Sequence, residues 1–149
     1  ETGGRLVENQ QPRPQDQERG DRQTLPVALA QQKGVADDPE IRQRLARAYG
    51  ELEIMRWSGL RNVTRFIKGG QPGPEGSIGK LFWSKWHQRL GELEADLLGA
   101  DALIMHDEGS LEHDFQHTFL FSRAHTIYAG STEIQRNIVG ERVLGLPRE

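Results

Sequence analysis

Two stretches of this 149-residue chain bring together residue types that do chemistry. The first is Tyr128-Ala129-Gly130-Ser131, directly ahead of a helix whose apolar spacing begins around Thr132. A helix N-terminus presents unpaired amides and a partial positive charge, so it suits a phosphate, a pyrophosphate or a thioester oxygen. Gly130 permits close backbone approach or unusual dihedrals, and Ser131 adds a hydroxyl. The same residues also serve plain capping, because Thr132 and Gln135 have the spacing of a capping box. The second stretch is Glu112-His113-Asp114-Phe115-Gln116-His117. It puts two histidines at i and i+4, which one helix face can offer to zinc. No third ligand stands at a recognisable spacing, and a solvated helix start is the favoured reading.

Two further clusters read as structure. Phe82, Trp83 and Trp86 recur at helical spacing, as core or subunit interface. Glu92, Glu94 and Asp96 read as a solvated face.

The elements that must position these residues are helical. Residues 1–24 are dominated by Gln, Arg, Pro, Asp and Gly, with few apolar groups to offset ordering entropy, and read as disordered or poorly ordered. Residues 25–149 read as one helical domain. Leu25 to Ala30 forms one or two turns ending near Gly34. Asp37 or Asp38 caps the first long helix, with Pro39 in its first turn. Ile41, Leu45, Ala48, Tyr49, Leu52, Met55, Leu60, Val63 and Ile67 then follow the period of one helical face. Gly69-Gly70 stops it. A second long helix from Ser77 carries Ile78, Leu81, Phe82, Trp86, Leu90, Leu93, Leu97 and Leu98 up to Gly99. Two helices of about thirty residues joined by a short Gly/Pro loop form an antiparallel pair, each about 45 Å long. Residues 99–114 read as a loop, Phe115 to Arg123 as a helix, and the last helix starts around Thr132. The fold class is all-α, with a four-helix up-down bundle as the simplest closure.

Composition narrows the partners. The net charge of -3 gives no reason to expect nucleic acid. There is no cysteine, which excludes thiolate chemistry and disulfides. No apolar run approaches the roughly 18 residues of a membrane span, and no signal peptide opens the chain, so a cytoplasmic location is expected.

The ending, Thr126-Ile-Tyr-Ala-Gly-Ser-Thr-Glu-Ile-Gln-Arg-Asn-Ile-Val-Gly-Glu-Arg-Val-Leu-Gly-Leu-Pro-Arg148, resembles the C-terminal signature of the acyl-CoA dehydrogenase family almost residue for residue. Upstream, Asp38-Pro39 with Ile41 to Ala46, and Gly73-Pro74-Glu75-Gly76-Ser77 with Lys80-Leu81, resemble a bacterial branch of that family. Leu97-Leu98-Gly99-Ala100-Asp101 sits where the family has its Leu-Gly-Gly loop. The resemblance implies the C-terminal helical domain of an enzyme that holds FAD among three domains. In that enzyme a carboxylate removes the α-proton of an acyl-CoA, the β-hydride passes to the flavin, and electrons leave to an electron-transfer flavoprotein. It also implies a homo- or hetero-tetramer. Ser131 and Glu133 match positions that contact the flavin cofactor. Gly99 and Ala100 match a loop that meets the adenine-nucleotide half of FAD, often across a subunit boundary. Tyr128 and Gly130 match the wall near the flavin and thioester. Arg136 matches an arginine that serves as an ion-pair partner or a ligand contact, and His125 stands just before the signature as a packed histidine or a neighbour of the flavin.

Three departures follow. Ala129 occupies the position of the expected glutamate base, so no residue of the motif is catalytic here. The family's Arg-x-x-Phe-Gly motif is absent near residues 25–37, with Arg42 the nearest basic replacement. No counterpart of the N-terminal and β-domains is present. The chain is therefore expected to be inactive alone, either as part of a dehydrogenase or as a non-catalytic interaction subunit that completes a partner's FAD site.

Overall fold

The structure is a computed structural model and describes residues 25–71, 73 and 75–147. The disorder expected of residues 1–24 lies outside the described residues. The elements are α1 (Leu25–Gln32), α2 (Pro39–Ile67), α3 (Glu75–Leu98), a 3-10 turn (Gly99–Leu103), α4 (Leu111–Ala124) and α5 (Thr132–Arg142). The all-α expectation holds. The count differs: five α-helices, not four, stand among the described residues, because Leu25–Gln32 closes two turns of its own.

The helix ends follow from identifiable caps. The Asp38 carboxylate accepts from the Glu40 and Ile41 amides at 2.8 and 3.2 Å, and Pro39 fixes the first turn of α2. With 29 residues α2 is about 43 Å long, whereas α3 has 24 and is about 36 Å. α4 starts at Leu111, four residues ahead of the expected Phe115. Ser110 accepts from the His113 amide at 3.1 Å, and Glu112 and Asp114 complement the positive end of the helix. His113 therefore lies in the first turn of α4, as the helix-start reading expected, and His117 one turn further on.

α3 is the central element and touches every other helix. Its C-terminal half supplies Leu93, Leu97 and Leu98 to a core completed by Leu29 and Ala30 of α1 and Phe115 of α4. Each large apolar side chain removed from water there contributes about 2 kcal/mol. Gly91 lets α4 approach α3 closely, since a Cβ on it would stand 2.8 Å from the Phe119 Cα. The α2–α3 seam is polar as well as apolar. Trp86 donates its indole N–H to the Ala48 carbonyl at 2.9 Å, Arg89 reaches Glu51 at 2.8 Å, and Arg44 reaches Asp96 at 2.8 Å.

The apolar line read along α2 is not a core stripe. None of its residues is fully buried, and Leu60, Val63, Phe66 and Ile67 are exposed at its far end. The periodicity is real, but α2 outruns its partner helices, so this half of its face has nothing to pack against within the described residues.

Candidate functional site

The turn between α4 and α5 is held by backbone hydrogen bonds at both its ends. The Ile127 and Tyr128 amides donate to the Ala124 carbonyl at 2.9 and 3.0 Å, and the Thr132 amide closes the loop onto the Thr126 carbonyl at 3.1 Å. Within it the chain turns left-handed twice, at Ala129 (φ 54°) and Gly130 (φ 91°). Left-handed backbone costs a residue with a Cβ about 1–2 kcal/mol, so Ala129 needs outside support. Two side chains give it. Gln135 donates to the Ala129 carbonyl and Lys80 of α3 to the Gly130 carbonyl, each at 2.8 Å.

The cap of α5 sits one residue earlier than the spacing implied. Ser131 is the N-cap, its hydroxyl accepting from the Ile134 amide at 3.4 Å, and Thr132 is buried in the first turn. Gln135 reaches back to Ala129 rather than to the cap, because the left-handed turn brings that carbonyl within its span. Glu133 is exposed, and its carboxyl is held below its ordinary value by its own backbone N–H and then by the Ser131 hydroxyl, with Arg136 and Lys85 adding attraction. The helix start thus already stabilises one negative charge.

Behind Tyr128 stands a cluster of rings. His125 is buried and meets Tyr128 edge-on at 5.3 Å, Phe121 edge-on at 5.1 Å and Trp83 at 4.4 Å between centroids. His87 of α3 stacks on His125, with the two Nδ1 atoms 2.7 Å apart, so one ring donates and the other accepts. Burial, and then the neighbouring His125, bring the His87 pKa down to about 4; burial, His117 and Lys80 lower that of His125. His125 is therefore a packed histidine that backs the turn. Trp83, read as core or subunit interface, is half-buried and part of this support.

Gly99 and Ala100 lie elsewhere. Both are exposed in the 3-10 turn at the C-terminal end of α3, Gly99 with φ 61°. Lys80, which touches Gly130, is 19 positions before Gly99, about 28 Å of helix at 1.5 Å per residue. The fold thus brings Tyr128, Gly130, Ser131 and Glu133 together but leaves Gly99 and Ala100 at the opposite end. Arg42 is exposed in the first turn of α2. His117 is exposed and stacks on Phe121 at 5.2 Å; among the described residues no group of three or more His, Cys, Asp or Glu can hold a metal.

Glu94 overturns the reading of Glu92, Glu94 and Asp96 as one solvated face. Glu92 and Asp96 are exposed and pair with Arg123 and Arg44, but Glu94 is only 4% exposed and its Oε2 has no hydrogen-bond partner among the described residues. It is among the residues lining a groove of about 510 Å³ between α1, α2, α3 and α4, with Leu25, Leu52, Trp86, Leu90 and Phe115. Burial, and then Asp114, raise its pKa to about 8. The sequence carried the signal: Glu94 stands four residues after Leu90 and four before Leu98, on the same line as the core. Lys80 and His87 carried none that spacing alone reveals.

The family profile "Acyl-CoA dehydrogenase, C-terminal domain" matches residues 26–144. The chain belongs to the acyl-CoA dehydrogenase family. It is 45% identical over 129 residues to "Acyl-CoA dehydrogenase IpdE1" of Mycobacterium tuberculosis, covering 83% of this chain and 31% of that protein. It is 47% identical over 123 residues to the protein of the same name from Mycolicibacterium smegmatis, covering 83% and 30%. The chain thus spans about a third of the length of these acyl-CoA dehydrogenases. Among solved structures, the "Tcur3481-Tcur3483 steroid ACAD" shares the fold with a TM-score of 0.75 at 24% identity, covering 87% of this chain and 34% of that one. The "ChsE4-ChsE5 complex from Mycobacterium tuberculosis" does so with a TM-score of 0.65 at 23% identity, covering 76% and 30%. This acyl-CoA dehydrogenase domain has no helix among its described residues that is long and apolar enough to cross a membrane.

Proposed function

We propose that this domain is the flavin-facing C-terminal part of an FAD-dependent enzyme that dehydrogenates an acyl-CoA thioester between its α and β carbons. The observation that carries the reading is the stapled turn, whose backbone geometry is held by Lys80, Gln135 and the ring cluster while Ser131 and Glu133 stand at the mouth of α5. The residues fit an anionic, hydrogen-bonding cofactor. The helix start already stabilises the Glu133 carboxylate, through its own backbone N–H and then the Ser131 hydroxyl. Bound FAD would supply the hydride acceptor, with an electron-transfer flavoprotein as the outlet. Ser131 and Glu133 would hold the flavin, Tyr128 and Gly130 would wall the flavin and thioester, and Gly99 with Ala100 would meet the adenine end of a cofactor. The 28 Å of α3 between these groups supports service to two cofactors, one in this subunit and one in a neighbour. The relatives' printed names support a steroid-type acyl chain and pairing with a second, different subunit.

The test is cofactor retention by the full-length protein. Ser131→Ala combined with Glu133→Ala is expected to strip flavin on gel filtration, seen as loss of the visible flavin band. Unchanged retention would refute the assignment of these two residues.

Ala129 favours a second reading, in which this subunit frames a site and a partner brings the base. Its methyl group moves no proton, and the described turn offers no carboxylate in its place. The full-length protein alone should then show no acyl-CoA turnover with a dye acceptor and gain it on co-expression with its partner. Turnover by the isolated 149-residue chain would overturn both readings.

A further inference from the structure

The 3-10 turn that carries Gly99 and Ala100 has little apolar anchorage. Leu103, Ile104 and Met105, at its end, are exposed, Leu103 and Met105 by 90% and 96%, and the side chain of this stretch that packs against the core is the small Ala102. A 3-10 helix also has poorer hydrogen bonds of its own than an α-helix. Polar side chains hold it instead. Gln116, half-buried on α4, donates its amide nitrogen to the Ala102 carbonyl at 3.0 Å and to the Ile104 carbonyl, with the Asp101 carbonyl at 3.4 Å. Three carbonyl oxygens around one side-chain end admit only a donor there, so the nitrogen and not the oxygen of the amide faces the turn. Its two hydrogens serve Ala102 and Ile104, on either side of Leu103. Two lesser ties meet at Asp101. Lys33, just past α1, holds its carboxylate at 2.5 Å, and His106 donates from Nε2 to its carbonyl at 3.0 Å. The Lys33 pair is partly exposed and therefore weak, so the clamp from α4 is the main one.

We propose that Gln116 is a positioning residue for the adenine end of FAD: by clamping the Ala102 and Ile104 carbonyls to α4, it keeps Gly99 and Ala100 in the geometry that meets the cofactor. The inference deepens the reading of this turn given under the proposed function and rests on it. Both amide hydrogens of Gln116 are engaged by the turn, so its effect on the cofactor runs through the backbone of residues 99–104 and not through a contact. A turn released from α4 samples other shapes, and apparent affinity falls with the fraction that stays competent. The loss of two hydrogen bonds is enough to lower that fraction about tenfold.

The experiment titrates FAD into the deflavinated full-length protein carrying Gln116→Met, which keeps the length of the side chain and removes both hydrogens. The dissociation constant is expected to rise about tenfold. The visible spectrum at saturating FAD should stay that of wild type, because Ser131 and Glu133 hold the flavin end about 28 Å of helix away. A constant within about twofold of wild type would overturn the proposal. So would a shifted flavin spectrum, which marks a general loosening of the fold. Lys33→Met releases Asp101 from the exposed side and decides if Gln116→Met does not fold. It should raise the constant about two- to threefold with the spectrum unchanged, and no rise would overturn the proposal. Ala100→Asp separates this inference from the reading beneath it, since it sets a carboxylate against the phosphate-bearing half of FAD. If Ala100→Asp weakens FAD and Gln116→Met does not, the clamp alone falls. If Ala100→Asp binds FAD as wild type does, the assignment of the turn falls and the clamp with it, while Ser131 and Glu133 stand on their own test.

Discussion

Replacing Glu94 by Gln in the 149-residue chain should make it more stable, and more so as pH rises. The cause is the pKa of about 8 for a carboxyl group whose ordinary value is 4.5. Below pH 4.5 both folded and unfolded chains hold the proton, and the group contributes nothing unfavourable. Between 4.5 and 8 the unfolded chain releases the proton while the folded chain keeps it, so stability is lost as pH climbs through this window. At about 1.4 kcal/mol per pH unit, the loss between pH 6 and pH 8 is about 2 kcal/mol, and the full window amounts to about 5 kcal/mol. Glutamine keeps the shape and has no proton to lose, so it removes the slope. The assay is denaturant or thermal unfolding at pH 5, 6, 7 and 8. Wild type should lose roughly 6–10 °C between pH 6 and 8 relative to Glu94→Gln. Parallel pH profiles for the two proteins would refute the reasoning, since they would mean that Glu94 is solvated or already paired in the short chain.

Four further outcomes can be measured. Gly91→Ala places a Cβ 2.8 Å from the Phe119 Cα, a contact that no rotamer relieves, and should cost about 1–3 kcal/mol in urea unfolding by prying α4 from α3. Ser131→Ala removes the N-cap of α5 and should cost about 1 kcal/mol, with the loss concentrated in faster amide exchange over residues 132–135. His87 should remain neutral in a ring-proton NMR titration down to pH 5. Its folded pKa of about 4 lies below the ordinary 6.5, so stability is lost as pH falls from 6.5 through 4, by about 1–2 kcal/mol after allowance for its partial exposure; a midpoint near 6.5 would contradict the stacked pair. Ala129→Glu should leave unfolding within about 0.5 kcal/mol of wild type, because the side chain points from an exposed position and the backbone is held from elsewhere.

Helices whose period and caps agree were legible without coordinates. Asp38-Pro39 announced the start of α2, and Gly69 and Gly99 stand just past the ends of α2 and α3. The start of α4 was missed because Glu112, His113 and Asp114 suggested loop, although Ser110 three residues ahead of His113 supplies the cap. The site was legible where it is local in sequence. Tyr128 to Glu133 form one turn and one helix start, and the spacing already placed them together. What supports them is not local. Lys80 and His87 are 50 and 38 positions from the groups they meet, Gly130 and His125, and only the antiparallel packing of α3 against α4 and α5 brings them there. Glu94 shows the opposite failure. Its type outweighed its position, since three acids at alternate residues suggest water, whereas the helical period puts the middle one on the core side.

The turn keeps its shape with an alanine where the family resemblance implies a glutamate base. If residue 129 shaped the backbone, an alanine there would adopt the right-handed geometry it prefers, and the carbonyls of 129 and 130 would lose their donors. Instead Ala129 stays at φ 54°, with Gln135 on its carbonyl, Lys80 on the next and the Thr126 carbonyl closing the loop. Three hydrogen bonds at about 1 kcal/mol net each exceed the 1–2 kcal/mol cost of the left-handed alanine. The frame and the base are thus separable. The frame is built by α3 and α5 and persists for any short or exposed side chain at 129, so removing a base there removes a proton acceptor without unfolding the loop that would position cofactor and thioester.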